Sequence, residues 1–183
     1  HNALMTGNPE YASVMNELLM QINLLPPAAA MAGIYTAVDN AVGVWKAPAN
    51  VSVAMVSKPA VHLDDDEQAD LNVPLDGKAV NAIRLFPGKG TIVWGARTLD
   101  GNSQDWKYIS VRRTVIFIEQ SIKIATEAFV FAANDSQTWG QIKSMISQFL
   151  TSVWTQGGLA GAKASDAFSV AVGLGTTMTA EDI

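Results

Sequence analysis

The stretch from residue 86 to residue 113 constrains the fold most, because it holds a short apolar run between two sets of turn residues. The run covers residues 91–97, with a Pro-Gly pair before it and Asp-Gly-Asn after it. A short apolar run bounded by such turns is typical of a buried strand. Aromatic and basic residues follow it without the spacing of a nucleophile, a base or metal ligands. The stretch therefore predicts a central strand and indicates assembly rather than catalysis.

Two amphipathic helices are predicted after this strand. Residues 111–129 place apolar side chains on one helical face and charged side chains on another. The next helix begins near Asn134, has Gln137 three residues on as in a capping box, and ends at a Gly-Gly pair. Its inward stripe includes Trp139. Both helices are therefore expected to lie on an apolar layer.

The rest of the chain predicts further helices and two more strands. Asn8 is the expected cap of a helix that a Pro-Pro pair ends, and a second short helix follows over residues 27–38. Residues 51–56 and 168–172 alternate between apolar and small or polar side chains, as half-buried strands do. Helices beside strands predict an α/β fold, in which helices pack on a mixed sheet as a two- or three-layer sandwich.

Length and composition limit the possible functions. A chain of 183 residues, with 49% hydrophobic and 16% charged residues, suits a single domain. It has no cysteine and two histidines, His1 and His62, so no Cys/His catalytic or zinc site is expected. The acidic run at residues 64–67 lacks the spacing of a calcium loop. We predict no enzyme activity, no catalytic residue, no cofactor and no metal.

The distribution of charge and apolar residues bears on partners. The net charge of −5 argues against nucleic acid as a partner, and no apolar run approaches the roughly 20 residues that span a membrane. Residues 61–76 carry only acidic charges, whereas residues 84–113 are mainly basic. Two interpretations stay open: solvated loops, or complementary patches on repeating copies of the chain.

The tryptophans divide into two groups. Trp94 lies within the predicted strand and Trp139 on a predicted inward helix face, so both are expected in the core. Trp45 and Trp106 are better candidates for packing under loops or at an interface.

Short motifs of uncommon residues recur from residue 26 onward. They are Pro26-Pro27 with residues 32–35, residues 43–50, residues 71–72 with 81–84, residues 86–99, Val130-Phe131, Asn134-Asp135 and residues 158–162. Together they resemble the conserved C-terminal part of contractile tail sheath proteins, found in tailed phages, tail-like bacteriocins and related injection systems. One departure is Ala132-Ala133, where that family usually has a polar residue and proline.

The resemblance implies a structural subunit. Such proteins polymerise around an inner tube and contract to drive it through a cell envelope. The implied partners are neighbouring sheath subunits, which add strands to the core sheet, the inner tail tube protein and the baseplate, without nucleic acid or membrane insertion. The implied location is a virion tail or tail-like particle that is assembled in the bacterial cytoplasm.

The resemblance also implies a division of the chain and a set of contact residues. Residues 1–25 match poorly and are expected to be an N-terminal helix or hinge. Residues 26–183 are expected to be the core domain without its C-terminal extension, in a chain that is expected to be truncated at both ends. Basic residues are expected to hold a subunit against its neighbours or the tube. The interface candidates are Arg97, Arg112, Arg113, Trp45 and Trp106.

An alternative function comes from a different class of protein. Aromatic side chains stack on sugar rings, so a small-molecule or glycan-binding α/β module stays possible. That alternative predicts a concave pocket lined by Trp45, Trp94 and Trp106.

Overall fold

A three-stranded antiparallel sheet lies at the centre of the fold, in a computed structural model that describes residues 2–73 and 76–182. The central strand is β3 (Gly90–Trp94), between β1 (Val51–Ser52) and β2 (Ala82–Phe86). Val93 of β3 pairs with Val51 on one side and with Ile83 on the other. The predicted central strand is therefore confirmed, although it begins one residue earlier and ends at Trp94.

Strands β2 and β3 form a hairpin whose turn the sequence specifies. Gly88 and Gly90 have φ values of +75° and +78°, a region that glycine enters without steric cost. The Lys89 N–H donates to the Phe86 carbonyl at 3.1 Å and closes the turn. Local turn chemistry thus sets the register that places Ile92 and Val93 in the interior.

Helix α3 (Ala28–Ala41) packs on the sheet to form the main core. Ile34 and Val38 of this helix meet Val53 and Val93 in one buried cluster. Val93 is only 1% exposed, because β3 has a strand on each side and a helix over it. Pro27 stands directly before the helix, where its missing N–H costs nothing.

A second layer consists of two long helices, α5 (Ile109–Thr126) and α6 (Ser136–Thr155). A 3₁₀ turn, Glu127–Phe129, follows α5. The rings of Phe117 and Phe149 lie 5.9 Å apart and join the two helices. Both predicted helices are confirmed.

The start of α6 differs from its prediction by one residue. Asp135, rather than Asn134, caps the helix by accepting from the Thr138 N–H at 2.8 Å. This hydrogen bond from the Thr138 backbone is the main cause that lowers the pKa of Asp135. Asn134 instead accepts from Nε1 of Trp139 at 2.7 Å and donates to the Asp182 carbonyl at 2.9 Å. It therefore ties the C-terminal segment to the helix.

Four shorter elements also occur in the described chain. They are α1 (Asn2–Gly7), α4 (Asp65–Asn72), α7 (Ala164–Ala167) and a 3₁₀ turn at Ala180–Asp182. Helix α4 lies in the acidic stretch and has a capping box, in which Asp64 and Glu67 accept from each other's backbone N–H at 2.8 and 3.0 Å. The acidic loop thus includes an ordered helix.

The N-terminal helix α2 (Pro9–Ile22) begins as predicted. The Asn8 side chain accepts from the N–H groups of Glu10 and Tyr11, both at 3.1 Å. The helix has no buried residue, and Leu18 and Ile22 are 45% and 69% exposed. None of the described helices is both long and apolar enough to cross a membrane.

Two strand predictions included residues that do not form a strand in the structure. Strand β1 ends at Ser52 rather than residue 56, because Met55 has a φ of +60°, which breaks an extended run. Residues 168–172 form no strand and pair with no other strand in the described chain. Their side chains alternate between half-buried and exposed, so one face of the segment is half-buried, but no neighbouring strand forms hydrogen bonds with it. The fold class, helices packed with a small sheet in one domain, is confirmed, although both strand pairs are antiparallel and the sheet is therefore not the mixed sheet that was predicted.

The core prediction for Trp94 was wrong, and that for Trp139 holds only in part. Trp94 is 36% exposed and packs on the ring of Phe86, 4.9 Å away, because it stands where β3 leaves the core. Trp139 is half-buried against Gly173. Its indole N–H reaches Asn134 at the edge of the fold.

Thr91→Val is expected to raise the free energy of unfolding by about 1 kcal/mol, because it removes a buried hydroxyl that lacks a hydrogen bond. Thr91 is 4% exposed, and its Oγ1 has no partner among the described residues. Thr114→Val is the matched control: Thr114 is also buried, but its Oγ1 donates to the Ser110 carbonyl at 2.7 Å. Urea unfolding of both variants checks the prediction, and stabilisation by Thr114→Val alone would contradict it.

Candidate assembly interface

Arg113, the fifth residue of α5, ties that helix to α3. Its Nη1 donates to Oδ1 of Asp39 at 2.8 Å, and its Nη2 donates to Oδ2. The guanidinium also lies over the ring of Tyr35, 4.7 Å from the centroid. The hydrogen bond from Arg113 holds the pKa of Asp39 below its ordinary value of 3.8. This two-point contact holds the two helices together and uses two of the five N–H donors of Arg113.

The Asp39–Arg113 pair predicts a pH dependence of stability. Because the folded state lowers the pKa of Asp39, the pair stabilises the fold fully at a pH above the pKa that Asp39 has in the unfolded chain. This stabilisation is lost as the pH falls through the lower pKa that Asp39 has in the folded protein. Asp39→Asn should therefore lower the melting temperature at about pH 7, and its difference from the parent should shrink towards about pH 3. Asp66→Asn, at an exposed position of α4, is the control. A difference that stays constant with pH would contradict the prediction.

Arg112 and Trp106 come together on the surface. The Arg112 guanidinium lies 4.9 Å from the centroid of the Trp106 ring, and the Lys107 ammonium lies 5.8 Å from that of Tyr108. Trp106 and Tyr108 remain 39% and 48% exposed. These four residues are called the aromatic–basic patch. Exposed aromatic rings beside a positive charge are common at binding surfaces.

Arg97 makes its contacts within the chain. Its Nη1 donates to the Asn72 carbonyl at the end of α4, at 2.7 Å. Its backbone N–H donates to Oδ1 of Asn81 at 2.8 Å, and Nδ2 of Asn81 donates back to the Arg97 carbonyl. A cation at a helix C-terminus stabilises the last carbonyl groups. Arg97 therefore holds α4 beside the end of the sheet.

Trp45 is half-buried between two glycines. A β-carbon at Gly43 would lie 2.4 Å from the Trp45 ring, and one at Gly158 would lie 2.9 Å from it. Gly158 follows the end of α6, so the indole joins the loop after α3 to that helix. Trp45 thus packs inside the domain.

The acidic and basic stretches also meet within one chain. Nη1 of Arg84 donates to Asp65 at 2.8 Å and to the side-chain carbonyl of Gln68 at 2.6 Å. The Arg84 side chain is 13% exposed, whereas that of Asp65 is 92% exposed. One acid of α4 is therefore engaged inside the subunit.

A cleft of about 260 Å³ lies between α3, the sheet and the start of α5. Its apolar lining includes Pro27, Met31, Tyr35, Ile83 and Ile109. None of the three tryptophans expected in a sugar pocket lines this cleft. Each packs instead against a different partner: Trp45 on glycines, Trp94 on Phe86 and Trp106 on Arg112. In the described residues, no group of three or more His, Cys, Asp or Glu side chains is placed to hold a metal ion.

Sequence reasoning missed Asp39 and Tyr35 as partners of Arg113. The available signal was their spacing of four residues, which places them on one face of α3. Nothing local showed that α5 would supply the cation.

Comparisons with known proteins decide the family. Residues 102–177 match the family described as the phage tail sheath C-terminal domain. The chain is 28% identical to the tail sheath protein of Burkholderia phage BcepMu over 146 residues, 77% of this chain and 30% of that protein. It is 26% identical to that of Vibrio phage KVP40 over 135 residues, 74% of this chain and 20% of that protein.

Solved structures of sheath proteins are also similar to this chain, and their sequence identity to it is higher. The sheath complex of the extracellular contractile injection system PVC, in its contracted state, is 45% identical with a TM-score of 0.81. The contracted helical sheath of the anti-feeding prophage is 43% identical with a TM-score of 0.78. Each match covers 86% of this chain. The chain belongs to the contractile tail sheath family.

The sheath resemblance seen in the sequence is thereby confirmed. The chain spans 44% and 43% of those two sheath proteins, so it represents less than half the length of a related subunit. The five interface candidates remain predictions. Arg112 and Trp106 stand on the surface of the sheath domain, whereas Arg97, Arg113 and Trp45 make contacts within it.

Proposed function

We propose that this chain is the conserved core of a sheath subunit, which polymerises around an inner tube and contracts to drive the tube through a cell envelope. The observation that carries the proposal is the similarity, over 86% of the chain, to sheaths solved in the contracted state. Residues 26–183 are proposed as the core domain and residues 1–25 as a helix or hinge at its edge.

The contacts inside the domain support its action as a rigid body. The Asp39–Arg113 pair and the Trp45 packing join α3 to α5 and α6, while Arg97 and Arg84 hold α4 to the sheet. A subunit that changes position in a tube needs such an internally braced unit, with motion confined to its connections.

The sheet supports strand addition as the connection. Strands β1 and β2 are the edges of the described sheet, and edge strands present unpaired N–H and C=O groups. An extended arm from a neighbouring subunit pairs with such an edge through backbone hydrogen bonds, largely independent of its side chains. The link then survives while side-chain contacts between subunits change.

The proposed partners are neighbouring sheath subunits, the inner tail tube protein and the baseplate. A related chain occurs in the baseplate structure of the anti-feeding prophage, at 43% identity and a TM-score of 0.80. The aromatic–basic patch is proposed as one contact surface, through Arg112 and Trp106. We propose that the protein has no catalytic activity, does not bind nucleic acid and does not insert into membranes. Its proposed location is a virion tail or tail-like particle that is assembled in the bacterial cytoplasm.

Electron microscopy of the full-length protein tests the proposal. The protein is expressed with and without its tube partner, and the particles are imaged after negative staining. Tubes or sheaths of regular width are expected, with length set by the tube when it is present. Dispersed subunits under both conditions, at concentrations where the protein is folded, would contradict the proposal.

A further inference from the structure

The hairpin of β2 and β3 continues beyond the sheet with a change of register. Backbone pairing joins Ala82 to Trp94 at the end of the sheet and, further along, Lys78 to Asp100. These pairs enclose three residues of one segment and five of the other, which are residues 79–81 and 95–99. Extra residues on one side of an antiparallel pair form a bulge, which interrupts the ladder of hydrogen bonds and bends the longer segment.

Arg97 lies in the middle of this bulge, and its neighbours bond to the segment that leads into α5. The Ile109 N–H donates to the Ala96 carbonyl at 3.0 Å. The Thr98 N–H donates to the Lys107 carbonyl at 2.8 Å. Backbone groups along an extended segment point alternately to its two sides, so those of Arg97 point away from that segment. In the described part of the chain, the bulge gives them no backbone partner.

The side chain of Asn81 takes the place of this missing partner. Its Oδ1 accepts from the Arg97 N–H and its Nδ2 donates to the Arg97 carbonyl, both at 2.8 Å. A side-chain amide has an acceptor and two donors, so it can reproduce the two-point pairing of a backbone strand. The approach is close because residue 95 is glycine: a β-carbon there would lie 2.8 Å from Oδ1 of Asn81 and 3.1 Å from its α-carbon.

The aromatic–basic patch is attached to the other side of the bulge. Besides the two backbone hydrogen bonds, Oγ1 of Thr98 donates to the Trp106 carbonyl at 2.7 Å. Arg112 of the patch is the fourth residue of α5, the helix that begins at Ile109. The position of the patch relative to the sheet therefore depends on the position of residues 96–98.

We propose that Asn81 is a positioning residue, which holds the bulge in place and thereby presents the aromatic–basic patch for assembly. The Arg97 side chain also reaches the Asn72 carbonyl, but a long flexible side chain leaves its own backbone free to move. Water can replace either hydrogen bond of Asn81, but it does not fix the distance between the two segments. The effect on assembly rests on the proposed function, whereas the effect on the position of the patch does not.

Hydrogen exchange of single backbone amides in the dispersed full-length protein tests the positioning. Asn81→Ala should speed the exchange of the Thr98 and Ile109 amides roughly tenfold, which corresponds to about 1.4 kcal/mol and lies within the range for two lost hydrogen bonds. The amides of Ile92 and Val93 should change much less, because the pairing within β3 is untouched. Asn16→Ala, at an exposed position of α2, is the control and should leave all four amides unchanged.

Gly95→Ala disturbs the same contact from its other side. The added β-carbon displaces the Asn81 side chain, so exchange should rise at the same two amides, Thr98 and Ile109. Gly140→Ala is the matched control, because a β-carbon there would meet no atom within 4 Å. Folded Asn81→Ala protein with unchanged exchange at the two amides would overturn the inference. An equal rise at Ile92 and Val93 would overturn it as well, since it would show general destabilisation.

Assembly of the full-length protein separates this inference from the proposed function. Asn81→Ala should raise the subunit concentration needed for sheath formation about two- to tenfold, the factor that corresponds to ordering one long side chain at an interface. Sheaths that form at the same concentration as those of the parent would overturn the inference and leave the proposed function intact. A parent protein that forms no sheaths would overturn the proposed function, while the exchange measurement would still decide whether Asn81 positions the patch.

Discussion

Gly43→Ala is expected to lower the free energy of unfolding by about 2 to 6 kcal/mol, because two independent costs act at one position. Gly43 has a φ of +126°, where a side chain strains the backbone by about 1 to 3 kcal/mol. The added β-carbon would lie 2.4 Å from the Trp45 ring, so the indole must move. Overpacking of this kind costs about 1 to 3 kcal/mol. Urea unfolding of the purified variant measures the sum.

Gly33→Ala is the matched control for that prediction. Gly33 lies within α3, and a β-carbon there would meet no atom within 4 Å. Alanine is favoured over glycine inside a helix by up to about 1 kcal/mol, so this variant should be slightly more stable than the parent. Equal effects of the two substitutions would show that the close packing around Trp45 is wrong.

Trp45→Ala is expected to cost about 3 kcal/mol, near the lower end for a buried tryptophan because the ring is only half-buried. The indole fills the space between Gly43 and Gly158, beside Val153 of α6. Its loss leaves a gap that the glycine backbones cannot close. Thermal and urea unfolding should both show the change in the isolated subunit.

Trp106→Ala is expected to affect assembly more than stability, in contrast to Trp45→Ala. Trp106 is 39% exposed, and its recorded ring contact is with Arg112. An exposed cation–π contact is worth about 0.5 to 1 kcal/mol, so unfolding should change by no more than this. Assembly should weaken instead, because the aromatic–basic patch is proposed as a contact surface. A Trp106→Ala variant that unfolds as easily as Trp45→Ala would reverse these assignments.

The elements that the sequence predicts correctly are those with local causes. The Asn8 cap, the hairpin glycines and the apolar stripes of α5 and α6 each act within a few residues, so their structures follow from short windows of sequence. The family motifs identify the whole domain, but they do not specify which of its residues contact each other.

The wrong or missing predictions involve partners that are distant in the chain. Asp39 and Arg113 are 74 residues apart, and neither helix alone indicates the pair. Thr91, Ile92 and Val93 are all buried while Trp94 is 36% exposed, because Trp94 is the last residue of β3 and lies at the end of the sheet. A large aromatic residue in a strand is therefore insufficient to predict a core position.

Cryo-electron microscopy of particles formed by the full-length protein tests the central claim most directly. The expected map is a helical sheath around a tube, in which each subunit contains the three-stranded sheet with α3, α5 and α6. Extended and contracted particles should share this domain as one rigid body, with its connections to neighbours preserved. A closed oligomer without helical order, or a domain that refolds between the two states, would contradict the account.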